Sequence, residues 1–288
     1  MPESQPELVE HRPQPLPREH GEGIGPEDLP VREQDANVED IELLIDLHRS
    51  AARQGPGGAS ETMKALGLAS LDASRSLRIA DIGCGTGAST LVLAGEVDAS
   101  ITAVDLFPEF LDELQSRAVN HGVADRIATL ACSMDALPLL DGAFDVIWSE
   151  GAVYRMGFEA GVSYWRGFLK PNGVIAVSEL TWLTVTRPRD LEAYWAKEYP
   201  EIDTASSKIG ILERHGYTPE AYFVLPRNCW LENYYQPMRG RFVEFLERHE
   251  RSEQARAIVD AEENEIALFE QYSTHFGYGF YVAKKTGA

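Results

Sequence analysis

The stretch Leu77-Arg78-Ile79-Ala80-Asp81-Ile82-Gly83-Cys84-Gly85-Thr86-Gly87-Ala88 decides how the rest of the chain is read. An apolar run of strand length carries a carboxylate near its end, and three glycines follow at alternate positions. Ser89-Thr90-Leu91-Val92-Leu93-Ala94 then reads as a helix. Strand, glycine turn and helix open a nucleotide-binding α/β sheet. Glycine permits the tight turn and lets backbone approach a ligand. The helix N-terminus offers free N–H groups and a positive dipole end to an anion.

Gly83, Gly85 and Ala88 also fit the loose dinucleotide pattern G-x-G-x-x-[GA]. Asp81 argues against a pyrophosphate, which a carboxylate at the mouth of the turn repels. It would attract an ammonium group, directly or through water. S-adenosylmethionine carries such an ammonium beside a carboxylate suited to the helix N-terminus.

Moving outward, Ile101 to Asp105 reads as a second strand ending in an acid. Asp105 is placed to accept hydrogen bonds from ribose hydroxyls, or else to cap the next helix. That helix runs from Glu109 to about His121. Arg126 to Cys132 reads as the third strand, leading into Ser133-Met134-Asp135. Asp135 suits the exocyclic amine of an adenine, with Met134 against the ring face. A fourth strand reaches Trp148, with Ser149-Glu150-Gly151 at its carboxyl end. A fifth runs from Val174 to Val177, with Ser178 and Glu179 at its end.

These segments together resemble class I S-adenosylmethionine-dependent methyltransferases over about residues 75–180. The residues that carry the resemblance are Asp81 to Gly87, Asp105, Ser133 to Asp135, Leu137 to Asp145 and Leu169 to Gly173. Arg53-Gln54-Gly55-Pro56-Gly57 and Trp148 to Tyr154 further resemble a bacterial small-molecule-type subgroup of unassigned substrate. The resemblance implies a Rossmann-like, doubly wound, seven-stranded sheet with an antiparallel last strand. It implies cofactor contacts from Asp81, Gly83, Cys84, Gly85 and Gly87, from Asp105 and Leu106, from Ser133, Met134 and Asp135, and from Glu150. No Asn-Pro-Pro-Tyr-like sequence follows the fourth strand, so the amide and base-amine methylation motif of that family is missing. S-adenosyl-L-homocysteine would be the product form, and no metal is expected.

The flanks fill out the organisation. Residues 1–36 hold seven prolines and nine acidic residues against three arginines, which predicts a poorly structured arm. The methyltransferase domain is expected over 37–288, with N-terminal helices over 37–74, the cofactor-binding core over 75–180 and an acceptor side over 181–288. Asn37 is the expected cap of a helix through about Gln54, and Ser60 starts a second short helix. Beyond the fifth strand, Trp182, Tyr194, Trp195, Tyr199, Trp230, Tyr234 and Tyr235 gather. A sixth strand from Tyr217 to Leu225 and a last one from Phe276 to Ala283 flank a helical insert. The insert reads as a lid, as a homodimer face or as core cover.

The net charge of −20 argues against a nucleic-acid partner. No apolar run is long enough to span a membrane. Cys84, Cys132 and Cys229 look like reduced cytoplasmic thiols. The function expected is methyl transfer to a small-molecule acceptor by in-line displacement. Glu150 and Tyr154 are the candidate catalytic residues, and Glu179 is a second acid to watch. Tyr154 and Trp182 are candidate acceptor-pocket walls. His215 and His275 read as surface or structural residues. A protein or RNA methyltransferase, a nicotinamide-dependent oxidoreductase and a binding protein without catalysis are the other readings.

Overall fold

The computed structural model describes residues 38–72 and 74–287. The expected arm and the Asn37 cap lie outside the described residues. Helix α1 spans Val38–His48 and α2 Ala59–Leu68. The first helix stops six residues short of Gln54, for a local reason. The Gln54 amide donates to the carbonyls of His48, at 3.2 Å, and Ala51, at 3.3 Å. Those carbonyls are satisfied by a side chain while the backbone turns away.

The core alternates strand and helix: β1 Leu77–Ile82, α3 Ala88–Glu96, β2 Ala99–Asp105, α4 Pro108–Asn120, β3 Ile127–Ala131, β4 Phe144–Glu150, α5 Phe158–Trp165 and β5 Leu169–Trp182. There follow α6 Arg189–Glu198, the two-residue β6 Asp203–Thr204, α7 Ala205–Arg214 and β7 Tyr217–Val224. The insert is α8 Arg227–Trp230, a π-helical turn Leu231–Tyr235, α9 Gln236–Arg248 and α10 Glu253–Tyr272, before β8 Phe276–Lys285. Pro237 enters α9 just after the wide turn; it has no N–H to give and its ring would crowd the carbonyl four residues back in a regular helix.

The sheet order is β3-β2-β1-β4-β5-β8-β7, with β6 added beside β5. The pairs among β1 to β5 are parallel, while β8 runs antiparallel to both β5 and β7. The expected seven strands are all present, and β6 is an eighth. β1 is buried at every residue except Arg78, as a central parallel strand covered on both faces must be. One face packs Leu47, Trp148, Trp230, Phe245 and Phe269, including residues of α1, α9 and α10. The other packs Ile147, Phe158, Trp165, Leu212 and Tyr281, including residues of α5 and α7.

β5 corrects the expected fifth strand, which had ended at Val177. Its parallel partner β4 ends where Glu150 meets Ser178, but β8 continues pairing from Val174↔Lys284 through Trp182↔Phe276. The antiparallel neighbour therefore extends the strand, and Glu179 falls in mid-strand opposite Gly279. Among the described residues no helix is long and apolar enough to cross a membrane.

Candidate active site

Gly83, Gly85 and Gly87 adopt φ of +72°, +55° and +88°, so the turn after β1 requires the left-handed region at all three positions. Neighbours demand glycine as well. An added Cβ would lie 2.3 Å from the Ala152 methyl at Gly83, 2.2 Å from Gln54 Oε1 at Gly85 and 2.1 Å from Leu114 at Gly87. The loop amides are all used within the protein. Those of Gly83 and Cys84 donate to the Val104 carbonyl at 2.8 and 2.9 Å, and that of Gly87 to the Cys84 carbonyl at 3.0 Å. Gly85 N–H donates to Asp105 Oδ2 at 2.7 Å, and Thr86 N–H to Gln54 Oε1 at 2.8 Å. Such a loop has no amides left to cradle a pyrophosphate.

Around this loop a cavity of about 1080 Å³ opens. It brings together most of the expected cofactor residues: Gly83, Cys84, Gly85, Asp105, Leu106 and the run Ser133 to Asp135 all line it. Asp105 also accepts from Phe107 N–H at 3.1 Å, so each carboxylate oxygen already holds one backbone donor. Burial raises its pKa, and these donors pull the other way. Met134 is fixed by its carbonyl, which accepts from Trp165 Nε1 at 3.0 Å.

Asp81 and Gly87 are not among the lining residues. The Asp81 carboxylate is buried beneath the loop, where Oδ2 accepts from the hydroxyls of Ser89 and Thr90 at 2.8 and 2.6 Å. Its Oδ1 is buried with no hydrogen-bond partner. Burial pushes its pKa up to about 7, against the two hydroxyls.

Glu150 and Tyr154 both line the cavity. Glu150 Oε2 accepts from Arg53 Nη2 at 2.5 Å, and Oε1 from Thr62 Oγ1 at 2.6 Å and Trp148 Nε1 at 3.0 Å. Tyr154 stands edge-on to Tyr199 at 6.0 Å between centroids, and the Arg155 guanidinium lies 4.9 Å over the Tyr154 ring. Segment 197–201, which includes Tyr199 and Glu201, closes that end of the cavity.

Several expected positions fall elsewhere. Trp182 is a core residue with Arg187 stacked at 4.6 Å, and it does not line the cavity. Glu179 is fully buried, with Oε1 accepting from Leu180 N–H at 2.6 Å and Oε2 unpartnered; burial pushes its pKa up to about 7, against the nearby Lys208 ammonium. His215 pairs with Glu159 at 2.8 Å and His275 with Thr184 at 3.0 Å. No residue of the helical insert lines the cavity; Met238, Phe242, Phe245 and Phe269 make it core cover.

The sequence reads the glycine break at 55–58 as a hinge between two helices that cover a ligand or pack on the sheet, and gives no role to single side chains of 51–58, which form a strap against the glycine loop. Gln54 bonds both to Thr86 N–H and to Thr86 Oγ1, and Arg117 of α4 donates to the Ala51 carbonyl at 2.9 Å. Asn233 of the insert holds the Gly57 carbonyl at 2.8 Å. The Gly-Pro-Gly run is the signal for a fixed turn here, but the partner of Gln54 lies 32 residues away in sequence.

Residues 79–173 match the methyltransferase domain family. The 27-O-demethylrifamycin SV methyltransferase of Amycolatopsis mediterranei (strain S699) is 26% identical over 214 residues, covering 72% of this chain and 77% of its own. A S-adenosylmethionine-dependent methyltransferase from Geobacter sulfurreducens, solved with S-adenosyl-L-homocysteine, superposes with TM-score 0.71 at 18% identity, over 86% of this chain and 98% of that one. The [4+2]-cyclase SpnF superposes with TM-score 0.69 at 20% identity, over 90% and 98%. Residues 79–173 thus carry a match to a methyltransferase domain, and the whole chain has the fold of S-adenosylmethionine-dependent methyltransferases.

Proposed function

We propose that the chain methylates a small-molecule acceptor held at the Tyr154 and Tyr199 end of the cavity. One observation carries this reading. The cavity continues past the cofactor residues to Tyr154, Arg155 and segment 197–201, and its 1080 Å³ is at the upper end of ordinary ligand pockets. That volume accommodates a nucleoside cofactor and a second molecule end to end. The net charge of −20 disfavours a phosphate backbone as the acceptor. The rifamycin relative is named for a small-molecule acceptor, which agrees.

The residues fit the cofactor. A buried, unpartnered Asp81 Oδ1 under a positive-φ glycine turn suits an ammonium held through water. Asp105 retains lone pairs for ribose hydroxyls, and Met134 and Asp135 border the place for an adenine. When bound, S-adenosylmethionine supplies an electrophilic methyl on a sulfonium. The protein's contribution is then to align the acceptor and exclude water. Tyr154 and Tyr199 offer aromatic faces to the acceptor. Glu150 lines the same space, but a guanidinium, a hydroxyl and an indole N–H occupy both its oxygens. That arrangement favours a positioning role over a general base. We further read 37–288 as one catalytic unit working in the cytoplasm, where its three free thiols stay reduced.

The test is incubation of the protein with methyl-labelled S-adenosylmethionine and a fractionated metabolite extract, beside a nucleic-acid and a protein fraction. Label should appear in a low-molecular-mass product. Label confined to RNA or protein would refute the small-molecule reading.

A further inference from the structure

The strap places a largely buried arginine in the cavity that the glycine turn after β1 also lines. Arg53 lines the cavity together with Gly83 and Gly85, and its side chain is only 11% exposed. Nη2 is committed to Glu150. Nε is buried without a partner, and Nη1 makes no hydrogen bond among the described residues. A guanidinium carries several donors in a fixed plane, and leaving them unmet in a buried place is unfavourable.

The surroundings hold that plane still. Glu150 is anchored on its other oxygen by Thr62 of α2 and Trp148 of β4. A Cβ on Gly57 would stand 2.2 Å from Arg53 Nη2, so the strap's glycine makes room for the guanidinium. Gln54, the next residue, seats the strap on Thr86.

Other places for an anion are weaker. The amides of Gly83 to Gly87 are spent on Val104, Asp105, Gln54 and Cys84. The first turn of α3 lies over the Asp81 carboxylate, which offsets the positive end of the helix when ionised. Asp105, Asp135 and Glu150 add negative charge to the lining. Arg155 is stacked over the Tyr154 ring and its charge acts on Asp105, and Lys197 belongs to segment 197–201.

We propose that Arg53 binds the carboxylate of the cofactor's methionine end through its uncommitted Nη1 donor, with Glu150 as the residue that positions it. This rests on the cofactor assignment and moves the carboxylate from the helix N-terminus, where the sequence had put it, to the strap. Glu150 then serves the cofactor, and its substitution acts through Arg53.

Calorimetric titration separates these roles without an acceptor. The probes are S-adenosylhomocysteine and its decarboxylated analogue, which keeps the amine. Arg53→Met should weaken S-adenosylhomocysteine about 10- to 100-fold, the range for a hydrogen bond to a charged group, and leave the analogue within about twofold. Arg53→Lys, which keeps a cation opposite Glu150 and so protects the fold, should show a smaller loss with the same selectivity. Glu150→Gln should lose about 3- to 10-fold, again only for the carboxylate-bearing ligand, as a weakened charge-assisted contact does. Equal losses for both ligands, or none for either, in folded Arg53→Lys would overturn the proposal. Wild-type protein that binds neither ligand would overturn the cofactor assignment itself.

Discussion

Asp105 and Asp81, the two acids nearest the glycine turn, behave differently because one borders the cavity and the other lies beneath it. Asp105→Ala should weaken S-adenosylhomocysteine by roughly 1.5–3 kcal/mol in calorimetry, the range for hydrogen bonds to a charged acceptor. Unchanged affinity in a folded variant would reduce Asp105 to a cap for Gly85 and Phe107. Asp81 makes a prediction about pH. Its folded pKa is raised from 3.8 to about 7, because burial favours the neutral acid. The stability tied to that proton is full below about pH 4 and is lost as pH rises through about 7, a loss on the order of 4 kcal/mol. Asp81→Asn keeps the shape and cannot ionise. Denaturant melts of the ligand-free protein should therefore show the variant gaining on wild type between pH 5 and pH 8. A constant difference across that range would contradict the buried, singly satisfied carboxyl.

At the scale of elements, the turn between β1 and α3 and the strap above it form one packed unit. Gly87 faces Leu114 of α4 rather than the cavity, at φ +88°. Gly87→Ala should thus cost stability, about 2–4 kcal/mol from strain and overpacking together, before it costs ligand affinity. Chemical denaturation measures this, and a neutral result would mean that α4 yields easily. The sequence showed why a glycine was there but assigned it to the ligand. The reason for Gly87 is a helix, which only the packing reveals. The same holds for β5, whose length is set by β8, which pairs with it from Val174↔Lys284 to Trp182↔Phe276, far along the chain.

For the whole molecule, the order of strands places the cavity-lining residues Gly83 to Gly85, Asp105 and Leu106, Ser133 to Asp135 and Glu150 at the carboxyl ends of β1, β2 and β4 and in the loop after β3, on one side of the sheet. The loop's spent amides and the acids of the lining disfavour a dinucleotide. In a thermal-shift assay S-adenosylhomocysteine should stabilise the protein, by about 2.7 kcal/mol at a hundredfold excess over its dissociation constant, and NAD should not. Equal shifts would reopen the nicotinamide reading. The sequence by itself determined the fold class and most of the segments that line the cavity, because strand periodicity, glycine turns and strand-end acids are local signals. Tertiary structure alone decided that Asp81 lies under the loop, that Glu179 is buried in mid-strand and that Trp182 belongs to the core. It alone showed Arg53 and Glu150 facing each other across 97 residues of chain. Those facts depend on which face of an element is covered and by what, and pairing between distant segments leaves no trace in the spacing of either one.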